Sequence, residues 1–183
     1  MRVIAGTARS LPLVTPKGEG TRPTTDRIKE TLFNIIQTYV PGSVFADVYA
    51  GSGGIGIEAI SRGASHAYFI DNSREALGCI KDNINFTKFS DKSTIISADA
   101  QVGVLEIPVE CDIIFMDPPY ELHSEASVLS ALTHSRALGE DTLIIIEADV
   151  NRDFSFVEDL GFTVVREKNY KTNKHVFIRK ENQ

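Results

Sequence analysis

Residues 44–56 read Val-Phe-Ala-Asp47-Val-Tyr-Ala50-Gly51-Ser52-Gly53-Gly-Ile-Gly56, and nothing else in the chain limits its fold as tightly. An apolar run of strand length passes directly into a glycine cluster, after which the apolar residues of Ile55–Arg62 suit a helix. Strand, tight turn and helix in that order open a βαβ unit, because a following parallel strand can be reached only by a crossover. The rest of the chain repeats the alternation. Ala67–Ile70 reads as a strand, and Ser73 can cap a helix that buries Leu77, Ile80 and Ile84. Thr94–Ser97 and Ile113–Met116 are further strands, separated by a short helix after Asp99. A helix over about Ser124–Leu138 precedes Leu143–Ile146, an apolar run suited to a strand covered on both faces. A short helix near Phe154–Leu160 follows, and Thr163–Arg166 and Val176–Arg179 flank a polar hairpin at Asn169–Lys174.

These elements predict a single α/β domain with a Rossmann-like, mostly parallel seven-stranded sheet and an antiparallel C-terminal strand. The catalytic core is expected at 43–183. Residues 1–42 form a small extension, with strand-like runs at Arg2–Ala5 and Leu11–Val14. Thr24, Thr25 or Asp26 can cap its helix, which runs to about Tyr39 with Ile28, Leu32, Ile35 and Ile36 inward.

No apolar run approaches the roughly 18 residues of a membrane span. Cys79 and Cys111 stand far apart, and the four histidines lack metal-ligand spacing. A cytoplasmic monomer without disulfides or metal is expected. The net charge of −6 conceals a division along the chain. Residues 1–29 carry a net of +4 and residues 166–180 a net of +5, while 30–165 carry −14. Basic ends around an acidic middle suggest that the termini meet a polyanion.

Gly51, Gly53 and Gly56 satisfy the spacing G-x-G-x-x-G, and Asp71 follows Gly51 by twenty residues at the end of the next strand. On these features NAD would fit, and an NAD-dependent oxidoreductase is one reading. Asp47 opposes it, since a carboxylate at that strand end repels a pyrophosphate. S-adenosylmethionine has no phosphate, and its amino-acid portion suits an acidic strand end. The expected cofactor pocket is Asp47, Ala50, Gly51, Ser52, Gly53 and Gly56, with Asp71 and Asn72 for the ribose and Asp99 and Ala100 for the adenine. Asp47 could instead be a structural acid holding loop amides, and Asp99 a helix cap.

Asp117-Pro118-Pro119-Tyr120 follows the strand Ile113–Met116. Consecutive prolines remove two donors and stiffen the chain, presenting the Asp117 carboxylate and the Pro118 carbonyl at the carboxyl edge of the sheet. Two rigid acceptors suit the two hydrogens of an exocyclic amine. Tyr120 offers a face to an unstacked base.

This motif resembles that of methyltransferases acting on adenine N6 or guanine N2. The runs Arg22-Pro-Thr-Thr-Asp-Arg-Ile-Lys-Glu-Thr-Leu-Phe-Asn34, Tyr49–Ala59 and Arg2-Val-Ile-Ala-Gly6 look specifically like the RsmD family, over nearly the whole chain. The resemblance implies S-adenosylmethionine-dependent methylation of guanine N2 in bacterial 16S ribosomal RNA, free or in the assembling small subunit. It also implies catalysis at Asp117–Tyr120, with the Arg22–Arg27 block beside the site. Tyr49 stands where that family commonly has Phe, and Gly54 where it has Ala; residues 8–14 hold a single basic residue, Arg9. RNA contacts are expected at Arg22, Thr24, Arg27, Lys171 and Lys174. A DNA adenine-N6 methyltransferase is the nearest alternative.

Overall fold

The computed structural model describes residues 1–17, 26–119 and 124–181. In chain order its elements are α1 (Asp26–Ile36), β1 (Val44–Val48), α2 (Gly54–Ser61), β2 (His66–Asp71), α3 (Arg74–Thr87), β3 (Ser93–Ser97), α4 (Ala100–Glu106), β4 (Cys111–Met116), α5 (Glu125–Leu132), β5 (Leu138–Asp149), β6 (Phe162–Asn169) and β7 (Asn173–Lys180). The seven strands form one sheet in the order β3-β2-β1-β4-β5-β7-β6. β1 to β5 pair in parallel, and β7 lies antiparallel between β5 and β6.

Each face of the sheet carries its own core. Phe45, Phe69, Ile113, Phe115, Ile145 and Phe177 pack with Leu32, Phe33 and Ile36 of α1 and Ile57 and Ile60 of α2. Ala46, Val48, Ile114, Met116, Ile144 and Ile146 pack on the other side with Val104 of α4 and Val128, Leu129 and Leu132 of α5. Alternate residues of β1, β4 and β5 serve opposite cores, which is why these strands read as unbroken apolar runs.

Four sequence expectations need correction. The buried face of α1 is Lys29, Leu32, Phe33 and Ile36, rotated from the one expected; Ile28 and Ile35 are half-buried. A lysine reads as solvent-facing, but the Lys29 ammonium bonds the Arg2 carbonyl at 2.6 Å and the fully buried Glu58 at 3.2 Å. Glu58 also binds Arg62 and the amides of Ile4 and Ala5, so it clamps the N-terminal segment onto α2. The two N-terminal strands reduce to one antiparallel bridge, Arg2 with Pro12. α5 stops at Leu132, six residues early, where the Thr133 hydroxyl donates back to the Ser130 carbonyl and β5 begins at Leu138. The closing hairpin is tighter than expected, because β6 runs to Asn169 and β7 starts at Asn173. Arg22, Thr24, Thr25 and Tyr120 lie outside the described residues. Among the described residues no helix is long and apolar enough to cross a membrane.

Candidate active site

Strand order reverses at β1, with β2 and β3 on one side and β4 and β5 on the other. At such a switch point the loops leaving adjacent strands diverge and open a crevice at the carboxyl edge. The glycine loop leaves β1 there, and Asp117-Pro118-Pro119 leaves β4 beside it, with the Asp117 amide 3.4 Å from the Val48 carbonyl.

Gly53 holds φ +75° at the N-cap of α2, a left-handed conformation that glycine adopts without strain. Gly56 is required for a different reason. A Cβ there would stand 2.4 Å from a ring carbon of Phe69, so its absence lets α2 settle on β2. Tyr49 takes φ +62° without being glycine. Its hydroxyl shares a 2.8 Å hydrogen bond with Ser124, just before α5, and so ties the glycine loop to the segment following Asp117-Pro-Pro-Tyr. A phenylalanine could not make that tie.

Asp47 is 2% exposed and accepts from the Gly56 amide at 2.8 Å. Burial pushes its pKa up to about 8 against the opposing pull of that hydrogen bond, and Asp71 adds to the rise. The role of amide holder, weighed above as the alternative, is therefore present in the structure. It carries a functional consequence, because a free amide at a helix start is what would bind a phosphate, and a carboxyl oxygen already occupies this one.

Asp71 is held by the amides of Gly51 and Ser73, each at 2.9 Å. Each of its oxygens keeps capacity for a further donor. Asp99 occupies the N-cap position of α4, yet its side chain makes no capping bond. It accepts instead from the Asn72 side chain at 2.6 Å, across the gap between the ends of β2 and β3. Asp71, Asn72 and Asp99 thus form a polar rim beside Gly51, above which a side chain would meet open space. Ala50 donates to the Ile70 carbonyl, Ser52 is buried, and Ala100 is the buried first residue of α4. The ten residues expected for the cofactor gather at the ends of β1, β2 and β3, and their chemistry fits a ligand with an ammonium, two ribose hydroxyls and an adenine.

On the other side, Asp117 is half-buried, Pro118 buried and Pro119 exposed. Burial pushes the Asp117 carboxyl well above the usual range, and the charges of Glu147 and then Asp47 push the same way. Lys171 is exposed in the β6–β7 turn. β6 runs parallel to β5, so this turn emerges on the same edge as Asp117. Lys174 departs from the expectation of a phosphate contact. It is 6% exposed, its ammonium lies 3.1 Å from Glu167, and it stands over the Phe154 ring. A strand position between two partners has buried it. Arg27 is exposed on α1. Among the described residues no group of three His, Cys, Asp or Glu side chains could hold a metal ion.

Sequence reasoning missed Glu147, Asn173, His175 and Tyr170, which are linked by hydrogen bonds, with Glu147 at the level of Asp117 on the adjacent strand. One signal was available. Glu147 directly follows the apolar run Leu143–Ile146, just as Asp71 follows Ala67–Ile70 and Asp117 follows Ile113–Met116.

Comparison with known proteins accords with this geometry. The chain matches the family described as conserved hypothetical protein 95 over residues 1–179. It is 35% identical to a Bacillus subtilis protein provisionally named the rRNA methyltransferase YlbH, covering 92% of each chain. Identity is 32% to the ribosomal RNA small subunit methyltransferase D of Haemophilus influenzae, over 92% of this chain and 88% of that one. An Escherichia coli structure provisionally named the methyltransferase yhhF superposes with a TM-score of 0.84 at 27% identity, covering 100% and 99% of the two chains. The sheet is the Rossmann-like sheet of methyltransferases. With a family match over nearly its whole length and relatives above 30% identity, the chain belongs to the conserved hypothetical protein 95 family, the RsmD family.

Proposed function

We propose that this chain transfers a methyl group from S-adenosylmethionine to the exocyclic N2 of a guanine in 16S ribosomal RNA. Kinship with small-subunit rRNA methyltransferases supports rRNA methylation. The observation that carries the amine chemistry is the meeting of Asp117-Pro118-Pro119 with the glycine loop at the switch point. The Gly56 amide, taken by Asp47, supports a cofactor without phosphate over a dinucleotide.

Asp47 would hold the amino-acid portion of the cofactor, Asp71 and Asn72 its ribose, and Asp99 and Ala100 its adenine. When bound, S-adenosylmethionine supplies a methyl group activated by its sulfonium. The chain's own task is to present a nucleophile, because an exocyclic amine delocalises its lone pair into the ring. The Asp117 carboxylate and the Pro118 carbonyl accept one N–H each, drawing the nitrogen toward pyramidal geometry and directing its lone pair at the methyl. The prolines keep both acceptors from relaxing, so orientation supplies much of the rate. Arg27 and Lys171, with Arg22 and Thr24 of the N-terminal block, contact the RNA backbone, and Tyr120 stacks on the target base.

The test offers one concentration of enzyme to small-subunit particles, naked 16S RNA and duplex DNA, then maps tritiated methyl groups. Label on a guanine N2 of the RNA is expected. Label on adenine N6 of DNA with the RNA untouched would overturn the target and leave the amine chemistry standing.

A further inference from the structure

Glu147 and His175 are deeply buried polar groups that the chemistry above does not use. Met116 pairs with Ile146 in the parallel β4–β5 ladder, so Asp117 and Glu147 follow at the same level on adjacent strands. Glu147 lies opposite His175 in the antiparallel β5–β7 ladder. Asp117, Glu147 and His175 continue the alternation of Phe115, Ile145 and Phe177, which share one core, so all three project from the same face. Glu147 is 5% exposed and His175 is 0% exposed. Asn173 donates to one Glu147 oxygen at 2.6 Å, and His175 Nε2 lies 3.2 Å from the other. The remaining histidine nitrogen, Nδ1, is 3.1 Å from the Tyr170 hydroxyl. Phe115 and Tyr170 meet the imidazole edge-on, which fixes its plane.

The apolar run Ile144–Ile146 could continue with another apolar residue at lower cost, since a buried charge must recover its lost hydration. Asp117 is the group this charge reaches. Among the described residues, Asp117 faces Glu147 from β5 and Asp47 from β1. Asp47, pushed up to about 8, keeps its proton below that pH, so Glu147 supplies the negative charge there. His175 faces Glu147, Tyr170 and, across the β6 ladder, Lys168, whose ammonium lies 6.0 Å from the Tyr170 ring centre. Arg166 also acts on Tyr170, whose hydroxyl burial pushes up to about 12, so it remains a proton donor to Nδ1. That bond leaves Nε2–H directed at Glu147.

We propose that Glu147, held by Asn173 and His175, is a positioning residue whose charge sets the pH range over which Asp117 accepts from the substrate amine. The inference rests on the reading of Asp117 given above. As the N–C bond forms and the S–C bond breaks, its electron pair passes to sulfur and the nitrogen is left with one proton in excess. A carboxylate beside a second negative charge is the more basic acceptor, both for the amine hydrogen and for the proton that passes through Asp117 to solvent.

The test is the pH profile of kcat on RNA. Glu147→Gln keeps the shape and removes the charge, so the acid limb should move to lower pH by about half a unit or more, while S-adenosylmethionine affinity stays within about twofold. Glu147→Asp keeps the charge and should leave the limb where the wild type has it, even where kcat falls. A structural role alone would lower kcat at every pH and leave the limb in place, which would overturn the inference. Tyr170→Phe reads the same line from its outer end and covers the case in which Glu147→Gln does not fold. Without the hydroxyl, Nε2–H is no longer held on Glu147, and the limb should rise; an unmoved limb there counts against the inference equally. Near-normal turnover in Asp117→Ala would instead sink the underlying reading of Asp117.

Discussion

The two sides of the candidate site hold their acids by different means. On the glycine-loop side, Asp47 accepts from the Gly56 amide in the first turn of α2, and Asp71 from the loop amides of Gly51 and Ser73. On the Asp117 side, Glu147 is held by the side chains of Asn173 and His175, which arrive from a strand 26 and 28 residues later. Amide-held acids are part of loop architecture, so their first effect is on the shape of the pocket. Side-chain-held acids can be retuned without moving the backbone, so their first effect is on charge. Substitutions on one side should therefore register in folding and cofactor affinity, and on the other in rate and its pH dependence.

The largest effect expected is that of Asp117→Ala, which should lower turnover by about 10²–10³, the scale seen when one preorganised hydrogen-bonding group is removed. Single-turnover methylation and calorimetry together check it. A large loss of cofactor affinity in this variant would break the division between the two sides.

Gly56→Ala should register in stability. Its new methyl would stand 2.4 Å from the Phe69 ring, and urea unfolding should show a loss of about 1–3 kcal/mol. An undiminished midpoint would mean that α2 can shift on β2, and that the glycine serves the ligand alone.

Asp71→Ala should weaken S-adenosylmethionine binding by roughly 1–3 kcal/mol, because it strands the Gly51 and Ser73 amides as well as the ribose. Calorimetry that finds the affinity unchanged would remove Asp71 from the pocket.

Asp47 gives a smaller, pH-dependent effect. Its folded pKa of about 8 lies above the unfolded value near ~4, so between these the folded chain keeps a proton that the unfolded chain has released. The associated stability is complete below about pH 4 and is lost as pH rises through about 8. Asp47→Asn still accepts from the Gly56 amide and should flatten that part of the slope. Equal slopes in the two proteins would place the titrating proton elsewhere.

The smallest effect separates the two hairpin lysines. Lys171→Ala should weaken RNA binding slightly and make its salt dependence shallower, as one phosphate contact is lost. Lys174→Ala should cost stability instead, since that ammonium is packed against Glu167 and Phe154. A salt slope lowered by Lys174→Ala and unchanged by Lys171→Ala would reverse the assignment.

The sequence by itself determined whatever depends on neighbours along the chain. The apolar runs gave the strands because period-2 alternation is lost only where both faces are covered, and the glycine cluster marked the turn because few other residues fit its backbone. Asp47, Asp71, Asp99 and Asp117 were legible as candidates because each sits at or just past the end of such a run, the edge at which parallel sheets generally bind ligands. Tertiary structure decided the rest. Lys29 faces the core because Glu58, a helix away, supplies the opposite charge there; Lys174 is buried because β6 and the Phe154 ring close over it. His175 looked like one scattered histidine until the β5–β7 ladder set it against Glu147, and Glu147 against Asp117. Pairing across a sheet depends on register between distant segments, and register is set by how both faces of the sheet are packed.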